Sequence, residues 1–67
     1  MTLKELYNQK YRNVAYIGFL EYDENGKIKK IYPDYADEIL ETHGEYIVKE
    51  EYYSKSKDTL VVKLEDL

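Results

Sequence analysis

The sequence predicts an α+β protein ordered α-β-β-α-β-β, a four-stranded antiparallel sheet with two short helices packed on one face. Three observations predict it: a capping-box signature at the start, two segments of strand-like residues folded about polar turns, and an apolar stripe of helical period between them. The chain has 67 residues and no cysteine. It is read as a single domain, 1–67, whose thin core no disulfide or zinc-thiolate centre reinforces. Of its apolar residues nine are tyrosines, so phenols are expected along the margins of that core.

Thr2 followed by Glu5 is the capping box, in which the hydroxyl and the carboxylate each take an orphan backbone N–H. Leu3, Leu6, Tyr7 and Tyr11 then recur at helical spacing, leaving Lys4, Asn8 and Gln9 in water. Val14 to Tyr22 reads as a central strand, with Ala15, Ile17 and Phe19 on one side and Val14, Tyr16 and Leu20 on the other. Asp23-Glu24-Asn25-Gly26-Lys27 is a hairpin turn, because Asn and Gly accept positive φ. Two registers bring opposite charges together. One sets Glu24 opposite Lys27 and Glu21 opposite Lys30; the other, favoured because it also sets Tyr22 beside Ile28, pairs Asp23 with Lys27 and Phe19 with Ile31.

Pro33 ends the second strand, having no N–H for a ladder. Asp34 is expected to cap the second helix, with Asp37 and Glu38 in its first turn, where the helix dipole favours carboxylates. Ala36, Ile39, Leu40 and His43 form the inward stripe, and Gly44 is expected to stop the helix in a left-handed conformation. His43 is read as a structural imidazole meeting the last carbonyls. Glu45 to Tyr53 and Thr59 to Glu65 make the second hairpin. Its first strand shares Tyr46, Val48, Glu50 and Tyr52 on one face and Ile47, Lys49, Glu51 and Tyr53 on the other. Its second turns Leu60, Val62 and Leu64 inward and Thr59, Lys63 and Glu65 to water. The sheet's second face is left to tyrosines and charges.

Net charge is −4, unevenly spread. Residues 33–53 hold seven acids against Lys49 alone, whereas residues 1–32 hold six bases and four acids. A phosphate-backbone binder needs clustered Lys and Arg, so direct nucleic-acid binding is not expected. The longest apolar run, Val14 to Leu20, falls far short of the roughly 20 residues that cross a bilayer, and the start of the chain lacks a signal-peptide pattern. No membrane association is expected, and the expected location is cytoplasmic.

Catalysis would need a nucleophile with a base, or a metal or cofactor in a concave site. Ser54 and Ser56 have no evident base, no glycine loop cradles phosphate, and the Asp23-Glu24-Asn25-Gly26 run puts its glycine at the wrong place for a calcium loop. Carboxylates one helical turn apart, Asp34 with Glu38 and Asp37 with Glu41, are common on exposed helices. The chain is therefore expected to be non-enzymatic, without cofactor or metal. Binding to a protein fits better, through interleaved acids and tyrosines: Asp34, Tyr35, Asp37, Glu38, Glu41, Glu45, Tyr46, Glu50, Glu51, Tyr52 and Tyr53. A larger protein with a basic surface is the expected partner. The alternative is a homo-oligomeric accessory protein, a homodimer for instance, meeting itself through the tyrosine-rich sheet face or an unpaired edge.

The opening Met1-Thr2-Leu3-Lys4-Glu5-Leu6 and the closing Asp58-Thr59-Leu60-Val61-Val62-Lys63-Leu64-Glu65-Asp66 resemble those of small uncharacterised phage and mobile-element proteins of AT-rich bacteria. Nine lysines to one arginine, with abundant Ile, Tyr and Glu, fit AT-rich codons. The resemblance implies a protein that occludes a host factor, a class that includes acidic inhibitors of restriction or CRISPR nucleases.

Overall fold

A computed structural model describes residues 1–22, 24–31 and 33–65. Helix α1 (Leu3–Lys10) begins as its sequence dictates. The Thr2 hydroxyl accepts the Glu5 N–H at 3.2 Å, and the Glu5 carboxylate accepts the Thr2 N–H at 2.9 Å. Both bonds satisfy donors that a helix start otherwise leaves orphaned, and Thr2, through its backbone N–H first and its side chain second, holds the Glu5 carboxyl below its ordinary range. Leu3 and Leu6 are buried, while Lys4, Asn8 and Gln9 face water. Beyond the helix the Tyr7 hydroxyl donates to the Val14 carbonyl at 3.2 Å, closing the turn that leads into the sheet.

Strand β1 (Tyr16–Tyr22) starts two residues later than its apolar run suggests. Val14 therefore lies in a turn, outside the strand's alternation, and is buried in the core on the side expected for Ala15, which is itself exposed. Ile17 and Phe19 do face the core. Strand β2 (Ile28–Ile31) pairs antiparallel with β1, and its register combines the two anticipated ones. Gly26, at φ +78°, makes the turn; Tyr22 then faces Ile28, but a bulge shifts the ladder so that Glu21 faces Lys30 and Leu20 faces Ile31. Phe19 is thus not the partner of Ile31. The pairing of Asp23 with Lys27 lies outside the described residues.

The shifted register persists beyond Pro33. Strand β3 (Asp34–Tyr35) pairs with β1 three residues further along each chain, Ile17 facing Asp34 and Tyr16 facing Tyr35. Pro33 interrupts one long antiparallel ladder and does not end it. The unanticipated β3 also changes the next helix. Helix α2 (Ala36–His43) has Tyr35, and not Asp34, at its N-cap, with no side-chain cap. The Ala36 N–H donates instead to the Ala15 carbonyl at 3.0 Å, so the sheet supplies the acceptor that a capping aspartate would have provided. Among the described residues, Asp34 Oδ1 accepts the Tyr35 N–H, at 2.8 Å, and no N–H of α2.

Gly44 stops α2 in right-handed geometry, φ −60° and ψ −26°, and not in the expected left-handed cap. Its need for glycine is steric: a Cβ there would run into the Leu40 carbonyl oxygen, which already accepts the Gly44 N–H. Among the described residues the His43 ring makes no hydrogen bond to a carbonyl. It lies 5.1 Å from the rings of both Phe19 and Tyr46, with Nδ1 2.7 Å from the Thr42 hydroxyl oxygen.

Strands β4 (Val48–Ser54) and β5 (Thr59–Leu64) form the second hairpin, and the order across the sheet is β2-β1-β5-β4 with β3 beside β1. The fold class is α+β, but the sheet is mixed: β1 and β5 run parallel, Ile17 facing Leu60 and Phe19 facing Val62. Composition explains which strand of the hairpin turned inward. Leu60, Val61 and Val62 are buried on both sides of the pleat, as a central strand requires, whereas β4 carries Lys49, Glu50 and Glu51. A bulge at Lys49 sets Val48 opposite Leu64 and Glu50 opposite Lys63. Val48 therefore packs against the core and does not share a face with Glu50 and Tyr52. Thr59, expected in water, is buried, its hydroxyl donating to the Lys57 carbonyl at 2.9 Å.

One cluster unites the molecule: Leu3 and Leu6 of α1, Val14, Ile17 of β1, Ala36 and Ile39 of α2, and Leu60, Val62 and Leu64 of β5. The alternate residues Gly18, Leu20 and Val61 lie on the opposite face of the sheet. No helix among the described residues is long and apolar enough to cross a membrane.

Candidate interaction surface

Helix α2 buries one stripe, so Asp37, Glu38 and Glu41 are carried on its opposite flank, and Asp34 precedes them on β3. All four are exposed. Asp37 accepts the Glu38 N–H at 3.0 Å, a helix-start contact that fixes its carboxylate beside its neighbour. The group is mutually repulsive: Glu38 is held above its ordinary carboxyl range, chiefly by the charge of Asp34, then by slight desolvation, with Asp37 and Glu41 adding to it. No ion pair to these four carboxylates is found among the described side chains. Glu45 and Tyr46 follow at the end of the helix, both exposed, with Tyr46 stacked near His43.

A second cluster lies where β4 meets α1. Glu51 is 4.0 Å from the Lys10 ammonium, and hydrogen bonding to its carboxylate lifts the Tyr11 phenol above its ordinary range. The Tyr53 ring sits 6.1 Å from that of Tyr11, and its hydroxyl donates to Asp58 Oδ1 at 3.0 Å, which raises Tyr53 in turn. These acids and phenols hold one another.

The third cluster is the sheet face away from the core. Tyr16, Tyr22, Tyr35 and Tyr52 are exposed there. The Tyr22 hydroxyl donates to Glu50 Oε2 at 3.2 Å, and the Lys63 ammonium lies 5.1 Å from the centre of the Tyr22 ring. Desolvation and the Glu50 charge raise the Tyr22 phenol. Two shallow hollows, of about 230 and 320 Å³, meet at Tyr52 and Val61; Val61 is only 2% exposed although no helix covers it.

All eleven residues expected at an interface are thus exposed, but they do not form one patch. Asp34, Asp37, Glu38 and Glu41 are together; Tyr35, Glu50 and Tyr52 belong to the sheet face; Glu51 and Tyr53 belong to the α1 side of β4. Tyr16, Tyr22, Lys63 and Val61 join the sheet face without having been anticipated as binding residues. Strand alternation placed Tyr16 and Lys63 on an outer face, and it was the register across four strands that the sequence did not carry. Among the described residues no three His, Asp or Glu side chains are grouped to hold a metal ion.

These features define a small α+β protein with a helix-borne acidic ridge and a tyrosine-bearing sheet face. Comparison with protein families, curated proteins and solved structures returned no match.

Proposed function

We propose that this chain is a non-enzymatic protein-binding module that occupies a basic, nucleic-acid-handling site on a larger cytoplasmic protein, offering the carboxylates of α2 in place of phosphates. The observation that carries the reading is the like-charged ridge of Asp34, Asp37, Glu38 and Glu41, close enough to raise Glu38 and without a cation among the described side chains. Charge density supports it. At about 1.5 Å of helix axis per residue, Asp37, Glu38 and Glu41 lie within about 6 Å, or one charge per ~3 Å. A nucleic-acid strand in a duplex carries one per about 3.4 Å of axis. Concentrated negative potential of this kind steers a basic partner and costs the free protein some self-repulsion.

The test is affinity capture from a lysate of the source organism, with the wild-type chain and the variant D34N/D37N/E38Q/E41Q as paired baits. A basic protein retained by the wild type, released by salt and absent from the variant supports the reading. Equal retention by both baits, or retention indifferent to salt, rejects it.

A further inference from the structure

Tyr16 and Tyr35 face each other across the β1–β3 ladder, with ring centroids 5.6 Å apart and planes inclined by 30°. Their side chains are the accessible end of the sheet face, 38% and 58% exposed. Neither hydroxyl has a hydrogen-bond partner among the described residues. We propose that this pair is a site of oxidative tyrosine–tyrosine cross-linking, which joins β3 covalently to β1 in the presence of a one-electron oxidant.

The geometry favours coupling within the chain. Two directly bonded phenol rings have centroids about 4.3 Å apart, two ring radii plus one C–C bond of about 1.5 Å, so the rings must close by little more than 1 Å. Exposed rings explore displacements of that size within nanoseconds, while their backbones are held in register by the ladder. The other close pair, Tyr11 and Tyr53, starts further apart at 6.1 Å, and both its hydroxyls are engaged, by Glu51 and by Asp58. Each phenol of that pair is tied to a carboxylate, a contact that closing the two rings would have to break.

The step balances as follows. Each phenol gives one electron to the oxidant and its hydroxyl proton to water, leaving a neutral phenoxyl radical. The two radicals form one C–C bond between carbons ortho to their oxygens. The hydrogen on each bonded carbon then moves to the oxygen of its own ring, which restores both phenols. Two phenols thus become one biaryl, with two protons released and two equivalents of oxidant reduced. Because Tyr35 is the N-cap of α2, the new bond fastens the start of that helix to the centre of the sheet.

The experiment uses the full chain with tris(bipyridyl)ruthenium(II), persulfate and a brief light flash, in dilute solution. Photogenerated ruthenium(III) is the one-electron oxidant and returns to ruthenium(II). The expected product is a monomer lighter by two hydrogen atoms, fluorescing as dityrosine, whose proteolytic fragments are joined at Tyr16 and Tyr35. Its unfolding midpoint in urea is higher than that of the untreated chain. Tyr16→Phe and Tyr35→Phe, each lacking one oxidisable hydroxyl, lose this product; Tyr53→Phe retains it. A cross-link mapping to Tyr11–Tyr53, products that are only intermolecular, or a monomeric cross-link that survives in both Tyr16→Phe and Tyr35→Phe overturns the proposal.

Discussion

Asp58 Oδ2 accepts the main-chain N–H of Ala15 at 3.3 Å, tying the β4–β5 turn to the residue before β1, forty-three positions away. The same residue uses Oδ1 for the Tyr53 hydroxyl and its carbonyl for the Tyr16 N–H, at 3.2 Å, and sits at φ +47°. It pins the parallel β1–β5 pair at the end where that pair begins.

Replacing Asp58 should therefore cost more than an average turn substitution. Asp58→Ala removes both side-chain acceptors and places a Cβ-bearing residue with no compensating polar group in left-handed backbone; a loss of about 2–3 kcal/mol is expected. Asp58→Asn keeps an acceptor and tolerates the backbone, and should lose about 1 kcal/mol. Urea unfolding of the three proteins measures the order; equal midpoints would contradict this role.

The phenol of Tyr53 should titrate above its ordinary value of 10.0, chiefly because its hydroxyl donates to Asp58. A raised phenol favours the protonated, folded form. Its contribution to stability is then complete below the unfolded value and is lost as pH rises through the folded one. Asp58→Asn should bring the Tyr53 titration back toward the ordinary range, followed by NMR of the ring resonances.

Glu38 gives the same sign at acid pH, here as a penalty on the charged form. Its carboxyl is raised by Asp34 above the ordinary 4.5, so the folded state takes up this proton before the unfolded state does. The associated penalty is present above the folded value and is relieved as pH falls through it toward the unfolded value. Asp34→Asn should lower the Glu38 midpoint in a carboxyl-detected pH titration. An unmoved midpoint would show that Asp34 is not the principal cause.

The two glycines outside the strands should respond differently to alanine. At Gly44 the added Cβ meets the Leu40 carbonyl oxygen, and about 1–3 kcal/mol should be lost through displaced backbone. At Gly26 an added Cβ meets no described atom within 4 Å beyond its chain neighbours, so the left-handed conformation at φ +78° is what is penalised, at about 1 kcal/mol. Thermal or chemical unfolding separates them, and a costlier Gly26→Ala would refute the steric account.

Helix starts offer a matched pair. Thr2→Ala breaks the capping box and should cost about 1 kcal/mol. Asp34→Ala should cost little helix stability, since the Ala36 N–H is already taken by the Ala15 carbonyl. Helical circular dichroism and unfolding midpoints of both variants test the contrast.

What the sequence made legible was local. Thr2 and Glu5 announce α1 because capping is settled within four residues, and Leu60, Val62 and Leu64 announce an inward face because alternation is settled within one strand. The failures share a different origin. Asp34 looked like a cap because nothing nearby says that Ala15 supplies the acceptor. Val48 fell on the wrong face because Lys49 forms a bulge, and one inserted residue reverses alternation from there on. The parallel contact of Ile17 with Leu60 rests on two segments far apart in the chain, which no adjacent pattern encodes. The candidate site follows the same division: exposure of each acid and tyrosine was readable from spacing, but their separation into three clusters depended on that distant pairing.

The parallel seam between β1 and β5 also sets a schedule for biogenesis. Because β5 follows the other strands of this sheet in sequence yet is interior to it, a growing polypeptide on the ribosome cannot close this core until residues near Leu64 have emerged. Until then β1 and the β2 hairpin lack their partner on the β5 side, and the nascent segment is exposed to chaperones and proteases.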